Sequence, residues 1–230
     1  MPLSRRNLLS LAGGVVVVGA AGYLGWRKFR PAPAPVTAPA TAQQQPTLNL
    51  TPDQKAEVQH EGTRTFGDPL AKVTVTEFFS LTCTHCAAFA RETMPQVEKD
   101  LIQPGKVRFV YHDFPLDQVA LTAAMVARYL PPAQYYPFIS ALFASQDRWA
   151  FARGANNTEE IWKLAALAGM SRDTFNDAIS DGDLRDWILK QQQSDQDLFK
   201  IDSTPSFVID GKKYAGEMSY DAFRKLLPDV

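Results

Sequence analysis

AKVTVTEFFSLTCTHC, residues 71–86, decides the fold. Its first ten residues are dominated by β-branched and aromatic side chains, which favour a strand, and the Phe78-Phe79 pair marks the strand's buried end. Cys83-Thr84-His85-Cys86 then falls where that strand hands over to a helix. A helix N-terminus presents unpaired N–H groups and about half a positive charge, so a thiolate at Cys83 is stabilised and its pKa falls. His85 lies in the same turn, where its ring or its N–H adds to that stabilisation and favours the dithiol. A disulfide whose reduced form is stabilised is a strong oxidant. On the residues alone, three other readings stay open. Half a zinc site needs two more ligands, and the only other histidines are His60 and His112. A structural disulfide across three residues closes a tiny loop and stabilises little. Two small buried apolar side chains are the third.

Downstream, the chain keeps an α/β pattern. Residues 86–101 carry Phe89, Met94, Val97 and Leu101 at helical spacing, Pro95 predicts a kink, and Pro104-Gly105 ends the helix. Residues 106–114 (KVRFVYHDF) read as a second strand closed by Pro115. A helical block follows, over 119–130 up to Pro131-Pro132 and again from Tyr135 to about Trp149. Thr158 is expected to cap a helix that Gly169 ends, and Ser171 to cap the next. Residues 183–199 form one longer helix with Leu184, Ile188 and Leu198 on its apolar side. Ser206–Ile209, an Asp210-Gly211 turn and Lys212–Tyr214 make a hairpin, since Asp-Gly between two short runs is a strong hairpin signal. Residues 220–227 are the last helix.

Upstream, the net charge of -1 is an average over unlike parts. Residues 1–30 hold Arg5, Arg6, Arg27, Lys28 and Arg30 and no acid, residues 31–50 hold no charge, and the remainder has 19 bases against 25 acids. A basic leader of +5 therefore precedes an acidic domain of -6. Residues 8–26 are uncharged, mostly apolar and diluted by glycine, and Arg5-Arg6 stands just before them. Paired arginines in this setting resemble a twin-arginine export signal. A membrane anchor is the second reading of residues 1–30, because about 20 apolar residues cross a bilayer. Residues 31–61 form a Pro/Ala/Gln-rich linker, and the five prolines within residues 31–50, Pro31, Pro33, Pro35, Pro39 and Pro46, favour an extended tether. A sequence pI near 6.3 argues against nucleic-acid binding by counterion release. Two cysteines are too few for a disulfide-stapled scaffold.

A second element lies at Thr204-Pro205, where a proline at the start of a strand removes a ladder donor. Together, the strand–CxxC–helix–strand unit, an inserted helical block, and helix, Thr-Pro, strand, hairpin and helix resemble the DsbA-like thiol-disulfide oxidoreductases. The resemblance covers residues 62–230 and implies an α/β, thioredoxin-like fold with an inserted helical subdomain at about 117–182. It implies that Pro205 is a cis-proline packed beside the active disulfide, with Thr204 preceding it, and that Thr204, Pro205 and Thr84 meet the substrate. It makes Cys83 and Cys86 the redox pair, with His85 supporting them. It also makes Glu77, six residues before Cys83, a buried acid that serves the second thiol. His112 stands where relatives often carry a cation, and no role is carried over to it. Thr84 stands where oxidases of this family usually have proline, a departure that bears on oxidant strength.

The leader and the resemblance together imply an exported, periplasmic enzyme, soluble or tethered to the inner membrane by residues 8–26. It would form disulfides in substrate proteins with free thiols, with no cofactor or metal and no nucleic-acid partner. A membrane oxidase of the DsbB type would recycle it. Two alternatives are a periplasmic disulfide reductase or isomerase, and a redox-inactive chaperone-like module that binds through the helical block. Trp149, Trp162 and Trp187 read as packing residues, Glu159-Glu160 as a helix first turn, and Arg64 as solvated surface.

Overall fold

The computed structural model describes residues 60–228. The leader, with its export and anchor readings, and all of the linker before residue 60 lie outside the described residues. No helix among the described residues is long and apolar enough to cross a membrane.

Strand β2 (Val73–Phe79) grows directly from the alternating VTVTEFF run. Val73, Val75, Glu77 and Phe79 share one pleat face, Thr74, Thr76 and Phe78 the other. It lies at the centre of a five-stranded sheet ordered β1-β3-β2-β4-β5. Strand β3 (Val107–Asp113) runs parallel beside it, with Glu77 opposite Tyr111. On the other side, β4 (Ser206–Ile209) is antiparallel, with Glu77 opposite Phe207. The hairpin to β5 (Lys212–Ala215) turns at Asp210 and Gly211, both at positive φ, as Asp-Gly predicts. A short edge strand β1 (Arg64–Phe66) pairs antiparallel with β3 and carries no periodic signal in the sequence.

After Cys83 the chain enters α1 (Thr84–Ala88) and α2 (Met94–Val97), joined and followed by the wider π turns Phe89–Thr93 and Glu98–Ile102. Pro95 falls in the first turn of α2, where a missing N–H costs least, and the expected kink takes the form of the π turn just before it. Five helices follow β3: α3 (Gln118–Arg128), α4 (Pro132–Ala144), α5 (Gln146–Trp149), α6 (Asn157–Leu167) and α7 (Arg172–Ser180). The continuous helix expected over 135–149 is broken at Ser145, whose backbone leaves the helical region at φ -121°. Helix α8 (Gly182–Phe199) returns the chain to β4, and α9 (Tyr220–Arg224) closes the fold. The main core includes Val75, Phe79, Phe89, Phe109, Leu142 and Trp149. A smaller cluster of Phe78, Phe114, Ile201 and Val208 lies on the other face of β2, covered by Phe199.

Three expectations are corrected. Helix α6 is capped by Asn156, whose side chain accepts from the N–H groups of Thr158 and Glu159 at 3.1 and 3.4 Å, so Thr158 lies inside the helix. Leu198 is 71% exposed, because the last turn of α8 packs through Phe199 on Phe78 instead. Arg64 is 2% exposed: its side chain turns under the helical block and donates to the Arg128 carbonyl, a helix C-terminal acceptor, at 3.1 Å. Ser171 does cap α7.

The helical block joins the sheet through one buried ion pair. Arg128, in the last turn of α3, bonds through Nε to Asp113 at the end of β3, and Tyr135 of α4 donates to the other Asp113 oxygen at 2.9 Å. The same guanidinium donates to the carbonyls of His60 and Gly62 and lies 4.5 Å from the Trp187 ring centre of α8. Removing one partner of such a pair strands the other charge in the core. Arg128→Ala is therefore expected to lower the unfolding free energy by about 3–5 kcal/mol. Urea unfolding would show this as a lower midpoint at unchanged slope; a midpoint within experimental scatter of the parent's would contradict it.

Candidate active site

The loop from Ser80 to Cys83 is braced on its own residues and on two helices of the block. Cys83 N–H donates to the Ser80 carbonyl at 3.0 Å, Thr82 donates to Asp117 at 2.6 Å, and Leu116 N–H donates to the Ser80 hydroxyl at 3.3 Å. Asp117 caps α3 through its other oxygen, which accepts from Ala120 N–H at 2.8 Å. From α5, Gln146 Nε2 donates to the Leu81 and Cys83 carbonyls at 2.8 and 3.0 Å. Cys83 is thus fixed in extended backbone (φ -76°, ψ 121°) as the N-cap of α1, and its carbonyl accepts from Ala87 N–H at 3.1 Å.

Both cysteines are free thiols, but they sit in different media. Cys83 is 9% exposed at the rim, whereas Cys86, one turn into α1, is 0% exposed. The Cys83 thiol donates to the Thr204 carbonyl at 3.2 Å, and the Thr204-Pro205 peptide is cis. The Cys83 pKa is pushed down to about 5, chiefly because the Cys86 thiol donates to its sulfur. Burial opposes this, while the Thr204 side chain and the backbone N–H groups of Cys86 and His85 add to it. Cys86 is pushed well above an ordinary thiol by burial, and then by its bond to Cys83 and the charges of Cys83 and Glu77. Stabilisation by the helix start, expected from the motif's position, therefore acts on Cys83 alone; Cys86 supplies the proton that holds its partner ionised.

Glu77 lies on the core face of β2, fully buried, and burial lifts its pKa to about 8. It lines a cavity of about 10 Å³ with Tyr111, Tyr136, Ser140 and apolar side chains, room for about one water. The imidazole of His85 pairs with Glu217 at 3.2 Å on the surface, so what His85 gives the sulfur is its backbone N–H. Thr84 is exposed at the first position of α1. His112 bonds Asp195 of α8 at 2.9 and 3.0 Å and lies edge-on to Phe78, while His60 stacks on Tyr129. Both histidines that a zinc site would need are therefore occupied elsewhere, and among the described residues no three potential ligands group together. A cleft of about 530 Å³ runs beside α1 and α2 with Glu92, Glu217 and Asp221 on its walls, and neither cysteine lines it.

Of the residues singled out in the sequence, the fold gathers Cys83, Cys86, His85, Thr84, Thr204 and Pro205 at one end of β2, with Glu77 behind them. It adds Gln146, Thr82 and Asp117, whose hydrogen bonds span 35 to 65 residues along the chain. No local pattern marks them; a glutamine after the apolar run of α4 is the sole trace.

A thioredoxin family model (Thioredoxin_4) matches residues 59–229. The structure of α-DsbA1 from Wolbachia pipientis is similar at 30% identity and TM-score 0.67, over 72% of this chain and 88% of that one. The structure of a protein-disulfide isomerase from Novosphingobium aromaticivorans is similar at 26% identity and TM-score 0.63, over 72% of this chain and 95% of its own. A Rickettsia felis protein provisionally named protein-disulfide oxidoreductase is 25% identical over 68% of this chain. That alignment covers 55% of the rickettsial protein, so the chain spans about half the length of the first curated relatives it matches.

Two pH effects of opposite sign follow for the reduced protein. The lowered Cys83 pKa contributes stability that is complete above the ordinary thiol value of 9.0 and is lost as pH falls toward 5. The raised Glu77 pKa is neutral below its ordinary 4.5 and destabilises increasingly as pH rises to about 8. Thiolate absorbance should therefore titrate with a midpoint near 5, and the signal should vanish in Cys83→Ser. Glu77→Gln should stabilise the reduced protein relative to wild type at pH 8 but not at pH 4, measured by denaturant unfolding at both.

Proposed function

The chain belongs to the thioredoxin family, in its DsbA-like branch, and from that membership and the geometry of its cysteines we propose an exported thiol-disulfide oxidoreductase that forms disulfides in other proteins. The observation that carries the proposal is the polarised pair, an outer thiol held near pKa 5 against a buried one held well above the ordinary value. Stabilising the thiolate stabilises the reduced form, and a couple with a stable reduced form takes electrons from its substrates.

In the oxidised enzyme Cys83 and Cys86 share a disulfide. A substrate thiolate attacks the Cys83 sulfur, forming the substrate–Cys83 bond and breaking the Cys83–Cys86 bond. Cys86 leaves with the electron pair and takes up a proton, for which neutral Glu77 lies behind it in the core. A second substrate thiolate then attacks the substrate sulfur of the mixed disulfide, and Cys83 departs as the stabilised thiolate. The substrate loses two electrons and the pair gains them. Thr84, Thr204 and Pro205 border the attacked sulfur and are assigned to hold the substrate backbone. No cofactor takes part in these steps. A DsbB-type membrane oxidase is assigned to reoxidise the pair. The basic, glycine-diluted leader supports twin-arginine export to the periplasm, with the protein either released or tethered by residues 8–26.

A reductase or isomerase is the second reading. It is favoured by Thr84 in place of the proline usual in the family's oxidases, and by the likeness to the Novosphingobium protein-disulfide isomerase.

The proposal is tested with the oxidised protein and an unfolded, reduced protein containing paired cysteines. With glutathione disulfide present to reoxidise the pair, wild type should introduce the disulfide catalytically and Cys83→Ser should fall to the uncatalysed rate, whereas Cys86→Ala, given the oxidised form of the substrate, should attack its disulfide and accumulate a mixed disulfide at Cys83. Full function in Cys83→Ser would replace the redox reading with that of a binding module.

A further inference from the structure

We infer that Gln146 is a positioning residue for the redox pair, the contact through which the helical block sets the ionisation of Cys83 and thereby the poise of the couple. Its role presupposes the disulfide-exchange reading of the same site.

Gln146 opens α5 and is 3% exposed. Both hydrogens of its amide nitrogen are spent on one loop, at the Leu81 and Cys83 carbonyls, 2.8 and 3.0 Å away. Leu81 and Cys83 are themselves buried, so without the amide these carbonyls lose a partner where water does not replace it. The grip differs from that of Asp117, which holds the loop through the Thr82 hydroxyl and not through the main chain. Gln146 holds the main chain on both sides of Thr82 and so fixes the rotation of the Cys83 peptide. That rotation aims the sulfur at the N–H groups of His85 and Cys86 and at the Cys86 thiol, the donors that keep it ionised. Gln146 is in turn set rigidly. Trp149 of the same helix donates to the Leu142 carbonyl at 2.7 Å, and Asn157 donates to the Trp149 and Ala150 carbonyls at 2.7 and 3.0 Å.

The constraint weighs unequally on the two redox states. In the disulfide a covalent bond ties Cys83 to α1, and its orientation needs little help. In the dithiol only hydrogen bonds aim the sulfur, so loss of the Gln146 grip raises the free energy of the reduced form more than that of the oxidised form. The couple becomes a weaker oxidant.

Gln146→Met keeps the length of the side chain and removes both donors. Its equilibrium with glutathione should shift at least tenfold toward the disulfide, about 30 mV for a two-electron couple, and the Cys83 thiolate midpoint should rise from about 5. A less stable variant with potential and thiolate titration both unchanged would make Gln146 a fold staple and overturn the inference. Gln146→Glu decides the matter if the methionine variant does not fold. Its neutral carboxyl donates one hydrogen bond and its ionised form none, so its potential should diverge from wild type as pH rises. A pH dependence parallel to wild type would overturn the inference. The proposed function fails separately. A wild-type midpoint at the reducing end, still shifted by Gln146→Met, would end the oxidant reading and leave the role of Gln146 standing.

Discussion

A thiol donating to its neighbouring thiolate, Cys86 to Cys83, is the interaction that the surrounding structure is arranged to preserve. It requires two like groups, three residues apart, to keep different protonation states. Only unequal surroundings do that. Cys86 is placed one turn into a helix that packs on the core, where ionisation would leave a charge without water. Cys83 is kept at the helix start, where backbone N–H groups are unpaired by the geometry of the helix itself. The parallel β2–β3 pair beneath them fixes where that helix begins.

Glu77 adds a third titrating group to the same small volume. Its neighbours on β3 and β4, Tyr111 and Phe207, leave it no bulk water, so it holds its proton near neutral pH. Were it ionised, its charge would push the Cys86 pKa further up. Neutral Glu77 and protonated Cys86 are therefore mutually consistent, and of the three titrating groups Cys83 is the one that carries charge. The same volume touches a cavity that accepts about one water, which is what a carboxyl that gives up and regains a proton needs.

Much of the fold was legible because its signals are local. The VTVTEFF alternation, the Asp210-Gly211 turn and the Ser171 cap each act within a few residues, and each appears where its spacing places it. The cysteine motif was legible for the same reason, since a helix start acts on the residue that caps it. What was not legible depends on partners far along the chain. Arg64 reads as a surface charge until the end of α3, 64 residues on, supplies a buried acceptor. Asn156 displaced Thr158 as a cap because three acceptable capping residues, Asn156, Asn157 and Thr158, stand in a row, and only the backbone path chooses among them. Leu198 follows the apolar spacing of α8 and still faces solvent, since the last turn packs on Phe78 through Phe199 instead. Gln146 left no trace beyond a glutamine following an apolar run: its importance lies in two carbonyls 63 and 65 residues before it.

The central claim is that the asymmetry of the pair makes it an oxidant. The most direct test is the midpoint potential of Cys83–Cys86 in wild-type protein, equilibrated with glutathione buffers and read by thiol alkylation. A stabilised Cys83 thiolate predicts a value toward the strongly oxidising end of this fold, about -120 mV, and a value near thioredoxin's, about -270 mV, would contradict it.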